Sequence, residues 1–315
     1  MAESIIKTLF KHLKRLCGQT VIVIFVATSL TACNQTHKGG DVSEPSVIAP
    51  MVSGVKVIKD FAYGKHKKQR MDIYVPENVH EAPIIMMMHG GGWATGDKNN
   101  EPVNILNRWA PKGFVVISVD TRLMPEADVY AQINDLAQSV VTTQKHAAEW
   151  GGDPAKLMLM GHSSGGTMVS VLAAKPSLVT ALGGVRWLAS FALDSSSLDI
   201  PRTMRLWSPD MFTYAYGETP ENWLSASPIN LLSSESIPMF IACSTQRPDG
   251  SCEQAELFVE EAKKFKLRTQ IVQQNFDHGG VGFQLGLDPE YTNAAEVFMA
   301  SLDSEVARRL SLPEH

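Results

Sequence analysis

The sequence predicts an α/β protein: a mostly parallel central sheet with helices on both faces. Three observations carry this expectation. From residue 55 onward, short apolar runs alternate with stretches of helical spacing, as strand–helix units do. Runs such as "APIIMMM" and "AKLMLM" are apolar almost throughout, as expected of strands covered on both faces. Two glycine-rich motifs, His89-Gly90-Gly91-Gly92-Trp93 and Gly161-His162-Ser163-Ser164-Gly165-Gly166, each follow such a run directly. That places both at the carboxyl ends of strands, where chemistry gathers in sheets of this kind. A length of 315 residues with 44% hydrophobic content suits one domain with a substantial core. A formal net charge of −5 gives no reason to expect nucleic acid as a partner.

Taken in order, "VKVIKDFAYG" and "QRMDIYVP" predict a strand pair at one edge of the sheet. The basic cluster "KHKKQR" (65–70) between them reads as a solvated hairpin turn, with contact to anionic headgroups as the alternative. "APIIMMMHG" is a buried strand, "PVNILNRWAPKG" a short helix and "FVVISVDTRL" another buried strand. "DVYAQINDLAQSVVTTQKHAAEW" has apolar residues at helical spacing and is ended by "GGDP". "AKLMLMGHS" then predicts a strand and "SGGTMVSVLAAK" the helix after it. "RWLASFALD" and "PMFIACS" predict later strands, separated by the long segment 195–237. "AELFVEEAKKFK" is an amphipathic helix, "TQIVQQN" a strand, and "YTNAAEVFMASLDSEVARRL" one closing helix.

The N-terminus has a different character. Lys7, Lys11, Lys14 and Arg15 precede the apolar run "TVIVIFVATSL", which ends at "TAC". A basic front, a short apolar core and small residues before a cut describe an export signal over residues 1–32, whose apolar run is too short for a comfortable membrane span. Its end, Leu30-Thr31-Ala32-Cys33, resembles the lipobox of bacterial lipoproteins. That resemblance implies cleavage before Cys33 and acylation of its thiol and new amino group. Several acyl chains, at about 0.8 kcal/mol per buried CH₂, would anchor the chain to a membrane, on the periplasmic side or at the outer membrane. Residues 33–54 are polar and without period and read as a flexible tether, leaving 55–315 as the folded domain.

Cys17 and Cys33 fall in the signal region, which leaves Cys243 and Cys252. Two nearby cysteines in an exported domain favour a disulfide, worth roughly 2–3 kcal/mol for so short a loop. No Cys/His cluster has the spacing of a zinc site, so no metal is expected.

The two glycine motifs carry the chemistry. The spacing Gly161-x-Ser163-x-Gly165 between a strand and a helix fits an elbow that presents a serine on a strained turn. Three glycines after His89 let backbone N–H groups converge, as a site that stabilises an oxyanion requires. "HGGGW", "VDTRLMPE" and "GHSSGG", in this order, resemble the α/β-hydrolase superfamily, and within it the hormone-sensitive-lipase-like and related carboxylesterase group. The resemblance covers roughly residues 55–310 and departs at Thr121, where the group usually has tyrosine. It implies an α/β-hydrolase fold, a Ser-His-Asp triad with Ser163 as nucleophile, and oxyanion donors from the N–H groups of Gly91, Gly92 and Ser164.

The superfamily's order of serine, acid and histidine selects His278, in "NFDHGGVG", from His66, His80, His89, His146, His162 and His278. His89 would brace the oxyanion loop through its backbone, and His162 would line the elbow. The family pattern places the acid after "PMFIACS", which points to Asp249, 29 residues before His278. The usual Gly-x-x-Asp loop reads "STQRPDGSC" here, so Glu253 stands in reserve and Asp194, ending the preceding strand, is the alternative position. The implied activity is hydrolysis of short-chain or aryl esters through an acyl-enzyme, on small-molecule substrates and without a cofactor. An arylformamidase-like amide hydrolase and a catalytically idle binding protein are the alternatives. Trp207, Phe212, Tyr214, Tyr216 and Trp223 could line an acyl or aryl pocket, or could pack the core.

Overall fold

Successive residues of a strand point to opposite faces, and this divides the interior of the domain in two. The computed structural model describes residues 53–313, apart from 101, 196 and 207–209. The expected export signal, Cys33, all but the end of the expected tether, and Trp207 lie outside the described residues.

Eight strands form one sheet: β1 (Val55–Ala62), β2 (Arg70–Pro76), β3 (Ala82–Met88), β4 (Val115–Val119), β5 (Gly152–His162), β6 (Ala189–Leu193), β7 (Met239–Ser244) and β8 (Thr269–Gln274). Their spatial order is β1-β2-β4-β3-β5-β6-β7-β8. β2 pairs antiparallel with β1 and β4, and every later neighbour pair is parallel. The expected edge hairpin is therefore present. Its basic turn folds back on the protein: Lys68 pairs with Asp97 at 2.9 Å, and Arg70 donates to the carbonyls of Gly64 and His66. β8, with the polar sequence "TQIVQQ", closes the other edge, where incomplete burial is tolerated.

All seven residues of β3 are buried, which explains why its sequence does not alternate. Ile84, Met86 and Met88 face one core, and Ile85 and Met87 face the other. The first core is covered by α2 (Val129–His146), α3 (Ser164–Ala174) and α9 (Ser251–Lys263), through residues such as Leu136, Leu172 and Phe258. The second is covered by α1 (Pro102–Trp109), α11 (Pro289–Ala300) and α12 (Ser304–Leu310), through Trp109, Phe298 and Val306. The sequence pattern joins the last two into one closing helix; the structure breaks it. Asp303 accepts from the N–H groups of Glu305 and Val306 and so caps a new helix at that point.

After the short α4 (Ser177–Thr180), the described residues of segment 195–237 hold four short helices: α5 (Ile200–Leu206), α6 (Asp210–Tyr216), α7 (Pro220–Ser225) and α8 (Pro228–Leu231). Phe212 and Tyr216 are buried edge-on against Trp93, with ring centroids 5.6 and 5.0 Å away. Trp223 donates from Nε1 to the Gly217 carbonyl, and Tyr214 is exposed. Phe212, Tyr216 and Trp223 serve mainly as packing. Phe212 also lines the cavity described below, together with Trp93.

Candidate active site

The elbow between β5 and α3 is built from the constraints its sequence implied. Ser163 sits at φ 54°, ψ −121°, a conformation that costs a non-glycine residue on the order of 1–3 kcal/mol. The turn survives because its flanks are bare. A Cβ on Gly161 would overlap the Gly165 carbonyl, and one on Gly165 would meet the carbonyls of Met88 and His89. Ser163 is also held by its N–H, which donates to the Leu193 carbonyl at 2.9 Å.

The Ser163 hydroxyl lies 2.9 Å from Nε2 of His278, which opens the short helix α10 (His278–Gln284). The sequence reads this stretch as a glycine-bearing loop. The helix forms because Asp277 accepts from the Gly280 N–H and caps it. His162 lines the elbow as expected and adds a bond: its Nε2–H donates to the His278 carbonyl at 2.8 Å, with the two rings 4.7 Å apart.

Asp194 holds the imidazole, and this corrects the expectation that Asp249 does. His278 Nδ1 is 2.6 Å from Oδ2 of Asp194. Asp194 follows β6, the strand beside β5, so sheet order alone brings its carboxylate behind the ring. It is fully buried at φ 53°, and its Oδ1 accepts from the Ser244 N–H at 2.8 Å. Burial pushes its carboxyl upward. The His278 hydrogen bond, the Arg247 charge and the Ser244 amide outweigh that and hold it below the ordinary carboxylate value.

Asp249 is engaged elsewhere. Arg247 grips it from Nε, at 2.8 Å, and from Nη2. Through Nη1 the same guanidinium donates to the Asp194 carbonyl at 2.8 Å and to its Oδ2 at 3.0 Å. Glu253 pairs instead with Arg202 at 2.6 Å. Cys243 and Cys252 form the expected disulfide, tying the end of β7 to the start of α9 across the loop that bears Arg247 and Asp249.

The other glycine motif approaches Ser163 from β3. Gly91 and Gly92 have φ of 119° and 59°, and a Cβ on Gly91 would run into the Thr95 carbonyl. The Gly91 carbonyl accepts from the N–H groups of Ala94 and Thr95 and from Thr95 Oγ1, which fixes the turn of the loop. His89 is buried and braces the loop with its side chain, Nδ1 lying 2.7 Å from the Gly90 carbonyl, where the sequence predicts a brace through its backbone. Ser164 opens α3, so its N–H belongs to a first helical turn that has no acceptors of its own. Gly91, Gly92, Ser163, Ser164, His278 and Met211 all line one cavity of about 650 Å³. Thr121, at the departure from the family pattern, is buried, and its hydroxyl has no partner among the described residues.

A nucleophile, a base, a carboxylate behind the base and amides beside the nucleophile can together perform acyl transfer. Among solved structures, the chain resembles esterase 2 of Thermogutta terrifontis phosphonylated by sarin. That match has a TM-score of 0.66 and 21% identity, and covers 80% of this chain and 96% of the other. The chain has the α/β-hydrolase fold.

Within the chain, residues 71–183 match the BD-FAE family model. Among curated proteins, it is 35% identical over 103 residues to carboxylesterase NlhH of Mycobacterium tuberculosis, a match covering 32% of each. It is 28% identical over 111 residues to the "Probable isoprenylcysteine alpha-carbonyl methylesterase ICMEL1" of Oryza sativa subsp. japonica, covering 35% of this chain and 26% of that protein. The chain thus spans about a quarter to a third of the length of these curated relatives.

Proposed function

We propose that this α/β-hydrolase is a serine carboxylesterase acting on small esters through an acyl-enzyme. The observation that carries the reading is the relay from Ser163 through His278 to Asp194, at 2.9 and 2.6 Å. With Nδ1–H donating to Asp194, Nε2 is free to accept the Ser163 proton. The Ser163 oxygen then bonds to the ester carbonyl carbon, and the charge that develops on the carbonyl oxygen meets the amides of Gly91, Gly92 and Ser164. The His278 imidazolium, stabilised by Asp194, gives its proton to the departing alcohol. Water, deprotonated in turn by His278, releases the acid and restores Ser163.

A cavity of about 650 Å³ that opens to solvent favours small esters, and the relatives and neighbours named above are esterases. Labelling with a fluorophosphonate probe tests the reading, followed by a panel of p-nitrophenyl esters of increasing acyl length alongside an aryl formamide. Labelling that is lost in Ser163→Ala, with ester turnover, is expected. Failure of the wild-type protein both to label and to hydrolyse any ester would overturn it; turnover confined to the formamide would move the assignment to amide hydrolysis.

We further propose that the chain is exported and lipid-anchored at Cys33, on the support of the basic, apolar and Leu30-Thr31-Ala32-Cys33 sequence. Metabolic labelling with palmitate should mark the wild type. Equal labelling of Cys33→Ser would exclude the anchor.

A further inference from the structure

One feature of the site is unused by the acyl-transfer scheme: a cation beside the base. Arg247 Nη1 lies 2.7 Å from Nδ1 of His278, next to the Asp194 oxygen that Nδ1 also contacts. A neutral imidazole carries one ring proton. If Nδ1 donates it to Asp194, Nδ1 has no lone pair left for Arg247. Nη1 needs none, since the Asp194 carbonyl and Oδ2 both accept from it. The guanidinium therefore acts on the ring through its charge. We propose that Arg247 is a positioning residue that restrains His278 from taking its second proton in the free enzyme, and so keeps the general base available at lower pH. This rests on the serine-hydrolase reading above.

The placement is overdetermined. Asp249 grips the far side of the guanidinium through two nitrogens, so Arg247, which lines the cavity, cannot turn away from His278 without breaking that pair as well. Its side chain is 16% exposed, where the attraction and repulsion between charges are weakly screened. The disulfide between Cys243 and Cys252 closes the loop on both sides of it.

The other groups around His278 leave Arg247 as the cation in direct contact with the ring among the described residues. Asp194 after β6 is the opposing anion, and Asp249 is one layer further out, behind the guanidinium. From the end of β5, His162 presents its ring and binds the His278 carbonyl. On His278's own helix, Asp277 is turned to the Gly280 N–H. From α11, the buried Tyr291 hydroxyl lies within the field of Asp194. Removing Arg247 takes away a cation and leaves two aspartates less neutralised. Both changes favour the imidazolium, so they act in one direction.

The test measures the rate of fluorophosphonate labelling of the full chain as a function of pH, which follows the free enzyme and needs no knowledge of the substrate. In Arg247→Met the acid limb of the profile should move to higher pH by about one unit. In Arg247→Lys, which keeps the charge and loses the planar fork, it should return toward the wild-type position. A limb left in place in Arg247→Met overturns the proposal, and so does a limb equally displaced in both variants, which would assign the effect to lost packing. Thermal melting of each variant establishes that the profiles come from folded protein. A wild type that does not label at all sinks the serine-hydrolase reading itself, which keeps the two failures distinct.

Discussion

Ser163 Oγ and His278 Nε2 meet at 2.9 Å although 115 residues separate them in the chain. The contact joins the elbow after β5 to the first residue of α10, and in the proposed mechanism neither partner works without the other. Ser163→Ala and His278→Ala should each lower kcat/KM for p-nitrophenyl acetate by at least about 10⁴-fold. The double variant should be no worse than either single one, because the two act as a unit. Steady-state rates of the three variants check this; additive losses would mean that the residues work separately.

Asp194 and Asp249 should separate cleanly. Asp194→Asn keeps the shape but leaves His278 in the wrong tautomer, with an expected loss of about 10⁴-fold in kcat. Asp249→Asn, which only loosens the Arg247 pair, should cost far less. The same kinetic comparison decides between them, and the reverse order would restore Asp249 as the acid.

Asp194 also makes stability depend on pH. Its native carboxyl lies below the ordinary value, so its contribution is full above the unfolded value, about 4, and is lost as pH falls through the native one. The stability gap between wild type and Asp194→Asn should therefore be widest near neutrality and close below about pH 4. Urea melts across that range measure it; a gap that grows on acidification contradicts the depressed carboxyl.

The amides of Gly91 and Gly92 can be tested without touching a side chain. At φ 119°, Gly91→Ala is strained and drives a methyl into the Thr95 carbonyl, so the loop and its amides must shift. A fall in kcat of about 10²–10³-fold is expected, the size associated with one lost oxyanion donor. At φ 59°, Gly92→Ala meets the flexible Met211 and should be milder. Far-UV circular dichroism with kcat on both variants checks the ordering.

The Cys243–Cys252 bond spans 9 positions, and replacing both residues with serine should cost about 2–3 kcal/mol of unfolding free energy. Because the loop holds the Arg247 bridge to Asp194, kcat should fall more than KM rises. Denaturant melts and steady-state kinetics of the double variant measure the two effects. Unchanged kcat with the stability loss alone would show that the bond supports the fold and not the site.

The parts of this molecule legible in its sequence are those enforced by backbone sterics or by burial on two faces. Ser163 stood out because its elbow admits only small flanking residues, and β3 because both of its faces are covered. Gly91 and Gly92 were visible for the same backbone reason. Asp194 was named only as an alternative, since what puts it behind His278 is that β6 lies next to β5, a fact of sheet order. What disqualifies Asp249 is the grip of Arg247, a contact between side chains two residues apart that no periodicity reveals. The break between α11 and α12 escaped because the apolar spacing continues through it; the Asp303 cap, a local hydrogen bond, decides it.

The central sheet also acts as a partition. Met86 and Met87 are bonded neighbours in the chain, yet one faces the core under α2 and α3 and the other the core under α1 and α11. Volume removed on one side cannot be recovered by enlarging a residue on the other, because a layer of hydrogen-bonded backbone stands between them. The two cores are therefore separate packing problems. An engineer could redesign the side built on α1, α11 and α12 as a unit while leaving untouched the packing beneath α3, the helix that begins one residue after Ser163.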